Sequence, residues 1–364
     1  MASRGSGIRY ASIARAGVSV VIALWPQVLA LGIGVLSGCM AYLVGLPLPW
    51  MLGPMIGNTV AALLAVPIAA PAKLRPFVIP VVGVMLGSTV TAEVLRQLAQ
   101  WVPTLLLLPI FLICASAVSY AVYRRIGGYD VVTAYFSAVP GGLNEMLIVG
   151  TEAGGDERRI ALAHASRILL VIAFVALFFG FVLGVSTGGT DASVWIGVGE
   201  IGLCDYVLLG LCAVLGVLLG QAVRLPAAAV FGPMILSAIT HATGILTVAP
   251  PTIFIVAAQI TIGSIIGARF IGATLRQIRH DLMLAAMSAL AMLAVTLFFA
   301  ELIAVFSGIP LSQAFLAYSP GGLTEMALLT LAMGQNVAYV SIMHIVRITM
   351  VIGTAPLVFK WLQR

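Results

Sequence analysis

Charged side chains are scarce in this sequence. Only 8% of its 364 residues are Asp, Glu, Lys or Arg, whereas 62% are hydrophobic. A soluble domain carries charge on about a quarter of its residues. So little charge cannot cover a surface for water, and we expect the solvent of this chain to be lipid. Uncharged runs such as 25–44 and 102–123 are close to the roughly 20 residues that cross a bilayer as a helix. We therefore predict an all-α polytopic membrane protein.

Metal-ligating side chains are also few, with four cysteines and four histidines. The cysteines are scattered and include no C-x-x-C pair: Cys39, Cys114, Cys204 and Cys212. This pattern supports neither a zinc site nor a disulfide framework. Oxygen chemistry on copper or iron needs clustered ligands, yet His241 and His280 belong near loops on opposite sides. We expect no metal and no cofactor, and an enzyme is disfavoured.

Other function classes are excluded by missing motifs. The sequence has no Walker motif, so ATP does not drive this protein directly. Its net charge of +6 comes without a polybasic run or a large soluble segment. Basic residues in a membrane protein usually mark cytoplasmic loops, so we expect no nucleic-acid partner.

The sequence contains an internal duplication. The heptapeptide PGGLNEM at 140–146 returns as PGGLTEM at 320–326. Other motifs recur in the same order, at an offset of 179 or 180 residues: GPMI at 53–56 and 232–235, the glycine pairs 83/87 and 263/267, LRQ at 95–97 and 275–277, and HxxRI at 164–168 and 344–348. We therefore divide the chain into an N-terminal tail (1–24), repeat 1 (25–185), a linker (186–205) and repeat 2 (206–364).

Charge placement favours inversion of the two repeats. If all twelve apolar segments cross the membrane, nine Lys and Arg fall inside and seven outside. If the two PGG segments enter and return to the same side, fifteen fall inside and only Arg96 outside. Cytoplasmic loops carry the excess of Lys and Arg. We therefore predict two inverted repeats, each with about five transmembrane helices plus a broken, re-entrant PGG segment, and both termini in the cytoplasm. A kinked spanning helix is the alternative.

The PGG motif itself predicts a break in the helix. Proline removes a backbone donor and clashes with the preceding turn, and glycine tolerates almost any backbone angle. Broken backbone at membrane depth is tolerated only inside protein or against a water-filled cavity. Paired broken helices in inverted repeats are a recurring plan of secondary transporters, whose sites lie near the midplane.

Ionisable residues accompany each break. Glu145 and Glu325 are expected in the first turn of the restarted helix, where the dipole favours a carboxylate. Asn144 or Thr324 precedes each acid and can cap that helix or bind a ligand.

The next segment of each repeat adds a basic pair. Arg167 and Arg347 each follow a histidine by three residues, which places both side chains on one helix face. Glu145 is expected to pair with Arg167 in its own half or with Arg347 across the pseudo-twofold axis.

Two interpretations of these charges stay open. Buried ion pairs can fix the PGG segments structurally, or the same groups can line a central polar cavity. In the second case the arginines attract an anionic group, and the glutamates bind cations or carry protons. The histidines are proton relays or bond nearby carbonyl groups. The predicted substrate- and ion-binding residues are Pro140, Gly141, Gly142, Asn144, Glu145, His164, Arg167, Pro320, Gly321, Gly322, Thr324, Glu325, His344 and Arg347.

The sequence resembles the bacterial AbrB membrane-protein family. The resemblance rests on the duplicated P-G-G-L-[NT]-E-M, the duplicated G-P-M-I and the H-x-x-R of each half, and it covers nearly the whole chain. It implies a duplicated protein of the bacterial inner membrane, often labelled "putative ammonia monooxygenase", with a role in regulating gene expression. It does not extend to the small soluble DNA-binding regulator of the same name, which is a β-rich dimer.

We predict a secondary transporter for a small anionic or zwitterionic solute. Its partners are expected to be the lipid bilayer, the small-molecule solute and a coupling ion, H⁺ or Na⁺. One alternative is a membrane metal-dependent monooxygenase. Another is a sensor or regulatory membrane protein that affects gene expression through partners docking on short loops such as 269–281. The many glycines in apolar segments suit a homo-oligomer and internal helix packing equally well.

Overall fold

The structure, a computed structural model, describes residues 5–46, 48–90, 98–179, 195–225, 227–272 and 275–362. Within these ranges all of its regular secondary structure is helical, and there is no strand. The helices of the first half are α1 (Gly5–Leu43), α2 (Pro49–Leu63), α3 (Arg75–Ser88), α4 (Val102–Ala121), α5 (Val131–Ala138), α6 (Leu143–Glu152) and α7 (Glu157–Leu177). Those of the second half are α8 (Leu203–Ala222), α9 (Ala228–Ala242), α10 (Thr252–Gly267), α11 (Leu275–Ser307), α12 (Leu311–Tyr318), α13 (Leu323–Ala332) and α14 (Val337–Leu362).

Seven described helices are long and apolar enough to cross a membrane. They lie in α1, α4, α7, α8, α10, α11 and α14, and they confirm an all-α, multi-pass membrane protein. The expectation of about five long helices per half differs at α2, α3 and α9, which have only 15, 14 and 15 residues. In α2 and α3 a proline at the first or second position fixes where the helix begins. The predicted N-terminal tail is also partly helical, because α1 already begins at Gly5. The Leu-Arg-Gln motif at 95–97 and the linker positions 186–194 lie outside the described residues.

The duplication is visible in how the helices pack. Each helix of the first half corresponds to the helix seven places later, and α2 packs on α10 as α9 packs on α3. A Cβ on Gly83 would lie 2.5 Å from the carbonyl oxygen of Val230, and one on Gly263 would lie 2.5 Å from that of Met51. Equivalent residues therefore exchange places across the two contacts, as at an isologous interface around a twofold axis.

Two groups of helices result from this packing. The panel consists of α1–α3 and α8–α10, which contact one another closely. The core consists of α4–α7 and α11–α14 and contains both PGG segments. The panel meets the core through contacts of α3 with α13 and of α2 and α10 with α7.

The equivalent helices α4 and α11 pack against each other in opposite directions. Ser119, near the end of α4, shares a 2.7 Å hydrogen bond with Ser288, which lies in the first half of α11. Phe111, earlier in α4, stacks edge-on against Phe299, later in α11, with ring centroids 5.6 Å apart. A twofold axis that relates antiparallel helices must run perpendicular to them.

The first PGG segment folds back on itself. The Asp156 amide, just beyond α6, donates to the hydroxyl of Thr133 at the start of α5 over 2.9 Å. A Cβ on Gly150 in α6 would lie 3.0 Å from the Cβ of Phe136 in α5. The two ends of residues 131–156 therefore lie together, with the break at the far end.

Candidate functional site at the two helix breaks

Both PGG motifs interrupt a helix. The helix α5 ends at Ala138, and Val139 is extended with φ −65° and ψ 128°. In the second half α12 ends at Tyr318, and Ser319 is extended with φ −56° and ψ 134°. A proline disfavours helical backbone in the residue before it, so Pro140 and Pro320 stop the two helices. Break 1 is residues 139–142 and break 2 is residues 319–322.

The last glycine of each break has ordinary backbone angles, and its role is to leave room where a side chain would lie. Gly142 and Gly322 have negative φ values of −64° and −73°, which any residue can adopt. A Cβ on Gly142 would instead clash with the carboxylate of Glu145, and one on Gly322 with that of Glu325. The sequence prediction attributed these glycines to backbone freedom, whereas they allow a side chain to lie against the chain.

The carboxylates of the two glutamates lie at the starts of the restarted helices. Glu145 lies in the first turn of α6 and Glu325 in the first turn of α13. Each carboxylate folds back over the glycine that precedes its helix. The N-terminus of a helix carries a partial positive charge of about half an electron charge, which favours this position.

The two arginines instead stabilise the helix ends on the other side of each break. Arg347 donates to the carbonyl oxygen of Ser319, and also to that of Gly321 over 2.8 Å. Arg167 donates to the carbonyl oxygen of Val139 over 3.2 Å. Those carbonyl groups follow α12 and α5, where the helix dipole is negative. Each break therefore joins a negative helix end, neutralised by an arginine, to a positive helix end, neutralised by a glutamate.

The predicted Glu–Arg pairs are not seen. Among the described residues, no ion pair joins Glu145 or Glu325 to Arg167 or Arg347. Contacts with helix ends replace them: each glutamate lies at the start of a helix, and each arginine donates to the carbonyl group that follows the helix before the break. The prediction of direct pairing, within a half or across the axis, was wrong in both forms.

The two histidines bond carbonyl groups, which was one of the two predicted roles. His164 Nε2 contacts the carbonyl oxygen of Phe136 at 2.7 Å, and His344 Nε2 contacts that of Leu316 at 3.1 Å. A carbonyl group only accepts, so Nε2 carries the hydrogen and Nδ1 is left as an acceptor. In the first half Arg167 donates to that Nδ1 over 2.9 Å.

The arginines of the two halves lie deep in the core. Arg167 and Arg347 are each only 3% exposed, and their positive charges lie close enough to repel each other. Each PGG segment also packs on the last helix of the other half. The rings of Tyr135 and Phe359 are 5.2 Å apart, and the equivalent rings of Phe315 and Phe179 are 5.7 Å apart.

Several buried polar atoms of the core helices have no hydrogen-bond partner within the described residues. They are Ser137 Oγ, Ser166 Oγ, Arg167 Nε, Tyr339 OH, Ser341 Oγ, His344 Nδ1 and Arg347 Nε. A buried polar atom without a partner costs about 1–3 kcal/mol. Three of them, Arg167 Nε, Arg347 Nε and His344 Nδ1, belong to the predicted site residues, where water or a polar ligand would supply the missing partner.

The two breaks differ in their surroundings. Gly321 and Pro320 are buried and Glu325 is partly buried, whereas Gly141 is partly exposed and Glu145 is exposed. Thr324 is partly buried, Pro140 is buried, and the side chain of Asn144 lies outside the described part of the chain.

Two arginines of the panel distinguish break 2 and were missed as site residues. Glu325 lies within electrostatic range of Arg269, in the turn Ala268–Phe270, and of Arg75 at the start of α3. Their repeat equivalents are Thr89 and Ile255, so the repeat register gave no signal for either.

The described residues contain no group of three or more His, Cys, Asp or Glu side chains placed to hold a metal ion. His241 bonds within the panel, to the carbonyl oxygens of Ser237 and Val248.

Comparison with known proteins gives the family. A family model described as "Transition state regulatory protein AbrB" matches residues 50–363. The chain is 25% identical to the "Putative regulator AbrB" of Escherichia coli (strain K12) over 321 residues, which cover 88% of this chain and 91% of that protein. It is 23% identical to the "Uncharacterized protein YhjN" of Bacillus subtilis (strain 168) over 359 residues, covering 92% of each. The chain belongs to the AbrB family.

Proposed function

We propose that this protein is an ion-coupled secondary transporter of a small anionic or zwitterionic solute, with its site between the two helix breaks. The observation that carries the proposal is the antiparallel packing of the equivalent helices α4 and α11. Because both are long enough to span, this packing supports a pseudo-twofold axis in the membrane plane, and with it inverted repeats. Inverted repeats place paired broken helices around a midplane site that opens to each side in turn.

The site chemistry fits this function. Two buried arginines donate to carbonyl groups of the breaks, and their Nε atoms and His344 Nδ1 have no partner within the part of the chain that the structure describes. Arginine donors bind carboxylate and other oxyanions in a fixed geometry. Among the described residues, neither Glu145 nor Glu325 forms an ion pair with a basic side chain, so both are available to bind H⁺ or Na⁺ during the cycle.

The charge distribution supports one orientation in the membrane. With re-entrant PGG segments, fifteen basic residues fall on the side of both termini and one falls opposite. We assign the basic side to the cytoplasm and the chain to the bacterial inner membrane.

Transport can be tested in proteoliposomes on a solid-supported membrane. Rapid exchange to acetate, succinate, nitrate, sulfate, phosphate or glutamate is expected to give a protein-dependent current for at least one of them. Glu145→Gln and Arg347→Ala are expected to abolish that current in protein that still elutes as one monodisperse species. A full set of solutes without a current above empty liposomes, or a current that both variants retain, would contradict transport.

A further inference from the structure

We propose that a groove on the panel, between α3, α8 and the start of α10, binds an acyl chain of a phospholipid. The groove is a partly open cavity of about 200 Å³. Its lining residues lie within 81–84 of α3, 206–213 of α8 and 250–254 at the start of α10. None of them belongs to either break, so the inference does not depend on the proposed transport function.

The walls of the groove offer no free hydrogen-bonding side chain. Among the lining residues only Tyr206 carries a polar side-chain atom, and its hydroxyl donates to the carbonyl oxygen of Val198 over 2.8 Å. A water molecule in a cavity needs several polar partners, whereas an apolar cavity of about 150 Å³ stays dry and takes up apolar molecules. The chemistry of the groove therefore fits hydrocarbon, and not water or a polar solute.

The groove opens on an apolar surface of membrane-spanning helices. Both α8 and α10 are long and apolar enough to cross a membrane. Gly210 lines the groove and is exposed, and its neighbours Val207, Leu211 and Val214 on α8 are exposed as well. Hydrocarbon at such a surface comes from the acyl chains of the bilayer.

The shape of the groove fits an extended chain. Its lining residues on α8 run from 206 to 213, a rise of about 10 Å along the helix axis. Acyl chains and spanning helices both run across the bilayer, so a groove along α8 is aligned with the lipid. A helix of a second copy of this protein, about 10–12 Å across with its side chains, is too wide for a cavity of this volume.

An acyl chain in the groove would extend a small buried cluster of the panel. That cluster contains Val84, Leu209, Cys212 and Leu246 and is separate from the main hydrophobic core. Val84 and Leu209 also line the groove. The carbonyl oxygen of Val84 accepts a 2.7 Å hydrogen bond from Ser237 of α9, so α3, α8 and α9 meet at this place. Burial of apolar surface there stabilises the contacts among the three helices.

The internal duplication supplies a matched pair of variants. At the offset of 179 residues, Gly210 corresponds to Leu31 and Leu211 corresponds to Gly32. Gly210→Leu therefore places the residue of the other half in the groove. Gly32→Leu makes the same change in α1, at an exposed position where an added Cβ would also have no atom within 4 Å. Both variants remove a glycine from a helix interior, so the gain in helix propensity cancels in their comparison.

The experiment uses the full-length protein in detergent with a phosphatidylethanolamine that carries a diazirine group in one acyl chain. After irradiation, mass spectrometry of peptides locates the lipid adducts. We expect adducts on residues 206–213 and 250–254 in wild type and in Gly32→Leu. In Gly210→Leu their yield at these residues is expected to fall about tenfold, which corresponds to about 1.4 kcal/mol. A yield in Gly210→Leu within about twofold of wild type, or adducts spread evenly over the exposed faces of α1 and α8, overturns the inference.

The remaining outcomes also decide. If Gly210→Leu is not recovered as monodisperse protein, Ala213→Val narrows the same groove, and an unchanged adduct yield in that variant overturns the inference. The absence of adducts at these residues in wild type overturns it as well. If wild type then elutes as a dimer that Gly210→Leu dissociates, the occupant is a side chain of a second copy and not a lipid.

Discussion

Arg347 donates a hydrogen bond to the carbonyl oxygen of Ser319, 28 residues earlier in the chain. Arg167 and Val139 repeat this relationship at the same separation. Each arginine thus holds together the last helix of its half and the helix end that the proline creates. The two halves therefore share a complete unit of break, arginine and glutamate, and each part of this unit can be tested by substitution.

Replacement of Arg347 by lysine tests the geometry of this contact at constant charge. Lysine carries a single ammonium group and cannot reach both carbonyl oxygens as the planar guanidinium group does. We expect the free energy of unfolding to fall by roughly 2–3 kcal/mol, the contribution of charged hydrogen bonds. Unfolding in detergent measures it, and Arg125→Lys, at an exposed position, is the control. Equal unfolding midpoints for the two variants would show that the contact contributes no stability.

Replacement of Gly322 by alanine tests the position of the Glu325 carboxylate. The new Cβ would clash with that carboxylate, which can move because it ends a flexible side chain. We expect a loss of roughly 0.5–1 kcal/mol in unfolding free energy, the usual value for a charge at a helix end. The current in the liposome assay is expected to disappear. Gly353→Ala, where no atom lies within 4 Å, should keep both at wild-type level. A wild-type current in Gly322→Ala would show that the carboxylate position is unimportant.

The sequence was sufficient to predict the helical membrane class, the duplication and the position of each break. These depend on local signals: apolar length, a repeated motif, and the effect of Pro140 and Pro320 on the residue before them. The partners of Arg167 and Arg347 could not be predicted in the same way. The sequence shows their charge but not the carbonyl groups, which become available only when α5 and α12 end beside α7 and α14.

The difference in charge between the surroundings of the two breaks could not be predicted from the repeated motifs either. Arg269 and Arg75 approach Glu325 because the panel packs on the core, and neither residue belongs to a repeated motif. A comparison of the two repeats finds the positions at which their residues match. Break 2 differs from break 1 through residues that do not match, so the comparison overlooks them.

Replacement of Gly267 by alanine tests the interlocked panel. Its Cβ would lie 2.5 Å from the carbonyl oxygen of Met55, and backbone cannot move away as a flexible side chain can. Overpacking of this kind costs typically about 1–3 kcal/mol. Gly87→Ala, at the equivalent contact with Met234, should destabilise the protein similarly. Gly32→Ala in α1, with no atom within 4 Å, is the matched control. A panel that tolerates Gly267→Ala as well as Gly32→Ala would disprove close packing at this contact.

Asp130 gives a prediction of pH dependence. It caps α5 by accepting from the Thr133 amide over 2.9 Å. Partial burial raises the pKa of its carboxyl, but the hydrogen bonds from Thr133 and the nearby amides outweigh this and lower the pKa below its usual value. A lowered pKa stabilises the fold above the unfolded-state pKa, and the stabilisation is lost as the pH falls through the folded-state pKa.

We therefore expect Asp130→Ala to lower the free energy of unfolding by about 1 kcal/mol at neutral pH. Asp130→Asn keeps an oxygen that can cap the helix, so it is expected to lose only the part of the unfolding free energy that depends on the negative charge. The difference between wild type and Asp130→Asn should disappear at acid pH. A difference that grows as the pH falls would contradict the sign of this linkage.

The sidedness of the two PGG segments separates inverted repeats from parallel ones. Single cysteines are placed at Glu152 and Ala332, the last residues of α6 and α13, after removal of the four native cysteines. These positions avoid the neighbouring Gly154 and Gly334, whose φ values of +91° and +62° disfavour any other residue. In intact spheroplasts, a membrane-impermeant thiol reagent should label Ala332→Cys and should label Glu152→Cys only after lysis. Labelling of both from outside would mean that the segments cross the membrane. The antiparallel contact of α4 and α11 would then no longer support a twofold axis in the membrane plane. The main reason to prefer a transporter would be lost as well.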